Sequence, residues 1–490
     1  MIPPRWQPIA LALFASLALF LFLGSRGLNE PDEGRYGELG REMALSGDWL
    51  VPTLNGIPHF QKPPVIYWAT AASMRLLGVN EWGARLPSAL AALGIVALTY
   101  WIGASLFGQK TGVAAGVILL SSIGFFVGAH LLTPDMMMTF WITAAIACVV
   151  KYGRGGHRLW AWLFFLAMGI GFLTKGPMAF VVPIAAAITW QRSRRRGDTP
   201  LRLPWARGVL LMLAVGLSWF IVLSLHNHEL FSYFAGDELV KRFGSKTHGR
   251  SKPFYFFVWV LPLALFPWTF AFLGMVGVKL KHWRAGWRPQ PDHWLLLGWI
   301  GIPLIILSIS GSKLPTYIIP LFPAIAIALG HWAPSGAWRL IRQGSFYAGI
   351  ALVLIMLLGA SQMDRFNDRL EQQATVRPIA QHLRTATDFS RATLFACEVR
   401  AHGWEFYLGR LTHLTRTDSD IVLKLTPEQA VRIIPSPKAC EALMLAKAPA
   451  YGLVREAGFG RYFSPEKWVV LDHAGDFLLI GTKGCALQPR

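Results

Sequence analysis

The chain has 490 residues, of which 53% are hydrophobic and 15% charged; soluble domains carry about 25% charged residues. Mean hydropathy is +0.41 and formal net charge +20. This excludes an ordinary soluble domain and points to a mainly α, polytopic membrane protein; the cations cluster between apolar segments, so they set topology and meet anionic lipid, and no nucleic-acid partner is expected.

A bilayer-spanning helix needs about 20 mostly apolar residues. Candidate segments run over 8–25, 86–107, 111–130, 136–150, 159–173, 177–190, 208–225, 255–278, 294–309, 317–332 and 346–361. These eleven predict as many transmembrane helices, and thirteen if two spans are hidden among the short ones. Either odd number puts the termini on opposite sides. The first segment has a basic flank in Arg5 but no small-x-small cleavage site after it, so it reads as a retained helix. The 21 tryptophans and 31 phenylalanines suit aromatic belts at the two interfaces.

One set of connections, among them KYGRGGHR, QRSRRRGDTPLRLPWAR and KLKHWRAGWRPQPDH, is rich in Lys and Arg and nearly free of acids. The positive-inside rule makes these cytoplasmic, together with the N-terminus. The other connections then face outward: 26–85, the LLTPDM, LTKGP and SGSKLP turns, 226–254, and the tail from Gln362. Asp32, Glu33, Arg35, Lys62, Asp135, Lys175, Glu238, Arg242, Lys313 and Tyr317 all fall on that outer side. Charges at a membrane boundary are costly and tend to serve function, so a polar cavity at the outer leaflet is expected.

The expected domains are 1–361, a membrane domain with its first outer loop at 26–85, and 362–490, a small outward-facing α/β domain. Within the loop, early acids and a Ser46-Gly47 end predict a helix over Asp32–Leu45 lying along the interface. In the tail, ATLFACEV, KWVVLD and DFLLIGT read as strands. DRFNDRLEQQATVRPIAQHLRTATDF, PEQAVRIIPS and CEALMLAKA read as helices. Cys148 lies in an apolar run; Cys397, Cys440 and Cys485 lie in the tail, where one pair can bridge in an oxidising compartment, with the pairing open.

Each chemical candidate has a plainer reading beside it. Asp32 and Glu33 suit a helix start, where acids stabilise the dipole by about 0.3–1 kcal/mol; they also suit acceptor activation in glycosyl transfer. Pro63 and Pro64 hold Lys62 extended, either for snorkelling to headgroups or for a lipid phosphate. Lys175 in LTKGP and Lys313 in GSKLPTY repeat that pattern. Three lysines on the side that the positive-inside rule disfavours are most simply explained by phosphate binding. Asp135 sits at the mouth of a helix, and Tyr317 can join the aromatic belt or donate to phosphate. There is no Asp-x-Asp motif for a nucleotide sugar, no Walker A motif and no convincing metal motif; His226, His228 and His248 read as interfacial.

PDEGRYGELGREM, HFQKPPVIYW, LLTPDMMMTF, FLTKGP and GSKLPTYIIPLFP, in that order, resemble the signature of the bacterial aminoarabinose (lipid A) transferase and protein O-mannosyltransferase superfamily over about residues 8–335. The resemblance implies a glycosyltransferase class C fold in the bacterial inner membrane. It implies an inverting transfer from a polyprenyl-phosphate sugar donor to a lipid or glycan acceptor in the outer leaflet. Carried over by motif, Asp32 and Asp135 match the acids of the first two outer loops, and Glu33 stands beside the first as a further catalytic candidate. Arg35, Tyr36, Lys62, Lys175 and Tyr317 match residues around the donor phosphate, with Lys313 added by its neighbourhood; Glu238 and Arg242 are candidate donor or acceptor contacts. The chain departs from the aminoarabinose branch at Gln61, where that branch has Glu, and at Leu239, where it has His. Those positions are associated with a metal, so no resident metal or other cofactor is expected, zinc or another divalent ion being the alternative. The acceptor stays open among lipid A, another glycolipid and protein. A transporter or flippase for a polyprenyl-linked lipid is the alternative class; the inverted repeats it usually shows are not visible.

Overall fold

Every apolar segment from 8–25 to 317–332 folds into helix in the computed structural model, which describes residues 3–194, 201–234, 252–286, 288–332, 351, 353–355, 358, 375–415 and 423–487. Segment 346–361 and the first half of the helix expected after Gln362 lie largely outside the described residues. The chain forms two compact bodies: Met1–Leu21, Lys62–Val65 and Pro87–Leu358 in one, Phe22–Gln61, Ile66–Leu86 and Gly359–Arg490 in the other. The expected boundary at 361 kept the first outer loop with the membrane domain; the bodies group that loop with the tail, apart from Lys62–Val65.

Among the described residues the first body's named elements are α-helices and 3-10 turns. Among the described residues three helices, Glu81–Phe107, Pro134–Gly153 and Pro291–Ile309, are long and apolar enough to cross a bilayer, or up to five if each bent pair counts as one span. The bends have local causes. Segment 111–130 breaks into Gln109–Leu120 and Ile123–Ala129 at 68°. At the break Ser121 and Ser122 turn their hydroxyls onto the Val117 and Ile118 carbonyls at 2.6 and 2.7 Å, and the Trp268 indole donates to Ser121 Oγ at 3.0 Å. Backbone groups freed in an apolar setting must be satisfied this way. Segment 255–278 divides into Phe256–Ala264 and Thr269–Arg284, and 317–332 begins as the 3-10 turn Pro315–Leu321 before Phe322–Trp332. Helix Met178–Ser193 packs against Pro291–Ile309 where Gly298 faces Thr189; a Cβ at Gly298 would lie 2.0 Å from Thr189 Oγ1, so only glycine permits the approach.

The second body begins with the helix Asp32–Ser46, ended by Gly47 in the left-handed region at φ 73°. The expected helix is present, but it does not present a charged face outward. Glu33, Glu38, Arg41 and Glu42 are all buried. Arg41 donates to both Glu38 oxygens at 2.6 Å, and Glu42 accepts from the Thr53 hydroxyl at 2.5 Å and from the Gly56 N–H. Acids three residues from an arginine read as a solvated face in sequence; here packing encloses them. Strands β1 (Thr53–Leu54) and β2 (Ile57–Pro58) form a hairpin whose turn, Asn55-Gly56, takes positive φ at both positions.

The tail holds β3 (Thr393–Cys397), β4 (His413–Leu414), β5 (Ala450–Arg455), β6 (Trp468–Ala474) and β7 (Phe477–Thr482) in the order β4-β3-β5-β7-β6. β3 runs parallel to both neighbours; β7 runs antiparallel to β5 and β6. Both sheet faces are covered. Leu394 and Ala396 enter one core with Ile379, Leu383 and Trp404; Phe395 and Cys397 enter the other with Cys440 and Met444. The three expected strands are present, and β4 and β5 are additional. Cys397 and Cys440 form a disulfide across 43 residues of chain. A loop of that size contributes about 3–4 kcal/mol in the chain-entropy model. Cys148 and Cys485 are free thiols.

Candidate active site

In the first body three distant segments meet. Asp135 lies in the first turn of Pro134–Gly153, at the positive end of that helix dipole, and is buried. Lys175 follows the helix Leu159–Phe172 in a turn that Gly176, at φ 120°, allows. The Lys175 ammonium donates to Asp135 Oδ1; the side chains are 16% and 5% exposed. Tyr317, half-buried in its 3-10 turn, places its ring 4.6 Å from Lys175 Nζ. An enclosed ammonium with three N–H groups, one taken by a carboxylate and the π-face of a phenol alongside, suits an anion that brings its own negative charge.

Lys62 is half-buried in the bend before Pro63. Lys313 is buried, and its ammonium donates to the Ser310 carbonyl and, at 3.0 Å, to the Lys252 carbonyl. That is capping chemistry for the end of Pro291–Ile309, so Lys313 has backbone work that its sequence context does not reveal. Glu238 and Arg242 lie outside the described residues.

In the second body Asp32 and Arg35 pair at 2.6 Å across one helical turn, Asp32 with 47% of its side chain exposed and Arg35 with 14%. The Arg35 guanidinium lies 5.4 Å from the buried Tyr36 ring, which in turn packs near Tyr67. This gives an accessible carboxylate with its geometry fixed by a guanidinium.

Glu33 corrects its expected catalytic role. Its Oε2 accepts from Arg26 at 2.6 Å, Arg85 at 3.1 Å and the Asn29 N–H at 3.0 Å; its Oε1 accepts from Arg85 at 2.9 Å and Arg26 at 3.2 Å. Burial alone would raise its pKa, but Arg85 and Arg26 outweigh burial and hold the carboxyl well below the usual range. A base so paired has no lone pair to lend. Arg85 further donates to the Leu23, Arg26 and Gly27 carbonyls, so one guanidinium ties down the whole approach to Asp32. Sequence reading missed Arg26 and Arg85. Arg85, a lone cation at the head of an apolar helix, carries the boundary-charge signal that could have found it.

Glu33→Gln is expected to destabilise the second body by about 3–5 kcal/mol, because a buried guanidinium loses its counter-charge. The depressed carboxyl contributes stability above its unfolded pKa and loses it as pH falls. Thermal unfolding against pH should therefore show an acid limb starting near pH ~4 in the wild type and weakened in the variant.

Among the described residues no group of three or more His, Cys, Asp or Glu side chains is arranged to hold a metal ion.

A family model described as dolichyl-phosphate-mannose-protein mannosyltransferase matches residues 9–231. The chain is 34% identical over 367 residues to undecaprenyl phosphate-alpha-4-amino-4-deoxy-L-arabinose arabinosyl transferase 1 of Sodalis glossinidius, covering 71% of this chain and 64% of that protein. It is 33% identical over 335 residues to the corresponding transferase of Edwardsiella ictaluri, covering 66% of this chain and 58% of that one. The match thus spans less than two thirds of either relative's length. The crystal structure of ArnT from Cupriavidus metallidurans bound to undecaprenyl phosphate is similar with a TM-score of 0.79 at 23% identity, over 98% of this chain and 99% of that one. That likeness shows the fold, glycosyltransferase class C with a small α/β tail.

Proposed function

We propose, from the family match over residues 9–231 and the likeness to aminoarabinose transferases, that the chain is an inverting glycosyltransferase of the inner membrane, of the superfamily of bacterial aminoarabinose transferases and protein O-mannosyltransferases. It moves a sugar, 4-amino-4-deoxy-L-arabinose in the first instance, from undecaprenyl phosphate to lipid A or another periplasmic acceptor. The observation that carries the reading is the Lys175–Asp135–Tyr317 cluster, in which a half-buried ammonium meets a buried carboxylate in the first body.

The chemistry follows from charge. An acceptor oxygen attacks the anomeric carbon, the bond to the phosphate oxygen breaks, and the polyprenyl phosphate leaves with one more negative charge than it had as a diester. Fixed cations in a water-poor site stabilise that developing charge more than they stabilise the ground state. Lys175 and Lys62, both of the first body, take this role. Asp32 accepts the proton of a hydroxyl acceptor; for a phosphate acceptor, which has no proton to lose, it orients the sugar instead. Apolar surface along the helices accommodates the isoprenoid tail.

The outward orientation of the tail is supported by the Cys397–Cys440 bridge, since such bonds persist in oxidising compartments. The N-terminus is then cytoplasmic and the tail periplasmic. Mass spectrometry of lipid A and envelope glycans, with and without the gene, tests the acceptor. A pentosamine increment on lipid A that disappears on deletion supports the reading. A shift confined to protein glycans would favour the mannosyltransferase-like alternative, for which the matching family model speaks.

A further inference from the structure

We propose that the tail is a positioning device for the loop that carries Asp32 and Arg35, with Tyr407 and Glu30 as its positioning residues. The proposal rests on the transferase reading for its catalytic consequence, and on contacts within the second body for its geometry.

The tail grips the loop at both ends of the helix Asp32–Ser46. Ahead of the helix, the Leu28 N–H donates to the Tyr407 hydroxyl at 2.7 Å, and the Gly403 N–H donates to Glu30 Oε1 at 2.8 Å. Arg377 donates to the Ser25 carbonyl at 3.2 Å and pairs with Glu81 at 3.1 Å. Beyond the helix, Asn55 exchanges two hydrogen bonds with the Thr412 backbone at 2.8 and 2.9 Å, and Arg432 donates to the Asn55 carbonyl at 3.0 Å. Three of these seven bonds engage the loop's backbone, at Ser25, Leu28 and Asn55, and so fix where the chain runs on both sides of the helix. A domain that served only as a tether would need no such fit.

The closest approach is at Glu30. A Cβ on Gly34 would lie 2.5 Å from Glu30 Oε2 and from the Gly403 nitrogen; a Cβ on Gly403 would lie 2.2 Å from Glu30 Oε1. The carboxyl is therefore clamped between two glycines, two residues before Asp32. The titratable groups that face it are His402 and Glu405 from the tail, and the loop helix presents Gly34. Burial, opposed by His402 and the Gly403 N–H, pushes the carboxyl up to about 8. A carboxyl raised on folding favours the closed arrangement most in acid, and that contribution is lost as pH rises through about 8.

The test uses the full-length protein in liposomes, read by hydrogen exchange and by transfer kinetics. Tyr407→Phe keeps the ring and removes the acceptor of the Leu28 N–H. Exchange over residues 26–34 should quicken while β5 keeps its protection. In the same variant kcat should fall about tenfold with the KM for donor unchanged, as misplacement of a reacting group predicts. Glu30→Gln keeps an acceptor for Gly403 but cannot ionise. The alkaline decline centred near pH ~8 in the wild type should disappear from its profile. Wild-type exchange and kcat in Tyr407→Phe, or an unchanged alkaline limb in Glu30→Gln, would overturn the proposal. If the wild type transfers nothing from a polyprenyl-phosphate donor, the transferase reading falls, and the exchange measurement still decides whether the tail holds the loop.

Discussion

Lys175→Ala is expected to lower kcat for sugar transfer by about 10²–10³-fold, the usual loss when one preorganised group is removed from a developing anion. The ammonium is enclosed, held by Asp135 and flanked by Tyr317, so its direction is set before substrate arrives. Removing it also leaves a buried carboxylate without its cation, which destabilises the fold independently of catalysis. Two further variants separate the effects. Lys175→Ala combined with Asp135→Asn should recover thermal stability but not activity. Lys175→Arg should keep the charge yet recover activity only in part, because a guanidinium is a broad fork where the site is shaped for a point charge. Single-turnover rates normalised to folded protein make the comparison. A Lys175→Ala rate within threefold of wild type would remove this lysine from the reaction.

The second large effect is expected at Asp32. Asp32→Asn should reduce transfer to a hydroxyl acceptor by about 10²–10⁴-fold, the range for loss of a general base. Adjacent acids have opposite fates here. Asp32 exposes 47% of its side chain and pairs with Arg35. Glu33 exposes 2% and is locked between two arginines. Of the two, only Asp32 is accessible. With a phosphate acceptor no proton is removed, so the same variant should lose less. Running both acceptor types through purified Asp32→Asn therefore distinguishes a base from an orienting group. Equal, wild-type rates with both would end the assignment.

Asp135 and Lys175 were legible in the sequence because each sits at the mouth of a helix beside Pro or Gly, on the side where charge is unexpected; Tyr317 was legible as the neighbour of Lys313. Topology alone sent them to one face, and the fold of the first body brings the three into contact. Lys313 shares that sequence signature but spends its ammonium on backbone carbonyls, which no local pattern announces. Arg85 and Glu33 are 52 residues apart, and Glu30 and Gly403 are 373 apart. Such partners are set by tertiary packing, and a single chain read in order has no signal for them. The helix Asp32–Ser46 was legible from its caps, whereas its environment was not. β5 escaped notice because AYGLVR is short and contains glycine, a poor strand former. A Cβ at Gly452 would lie 2.6 Å from Met444 Cε, so the thioether from the helix Pro437–Ala446 would have to shift.

The central claim is that a polyprenyl phosphate is the leaving group. The most direct test reconstitutes the purified protein in liposomes with undecaprenyl phosphate-linked 4-amino-4-deoxy-L-arabinose and lipid A, and follows both products by mass spectrometry. The account predicts free undecaprenyl phosphate and sugar-bearing lipid A in equal amounts, with the anomeric configuration inverted and both products lost together in Lys175→Ala. Donor that stays intact in the presence of folded wild-type protein, across lipid A, other glycolipid and protein acceptors alike, would contradict it.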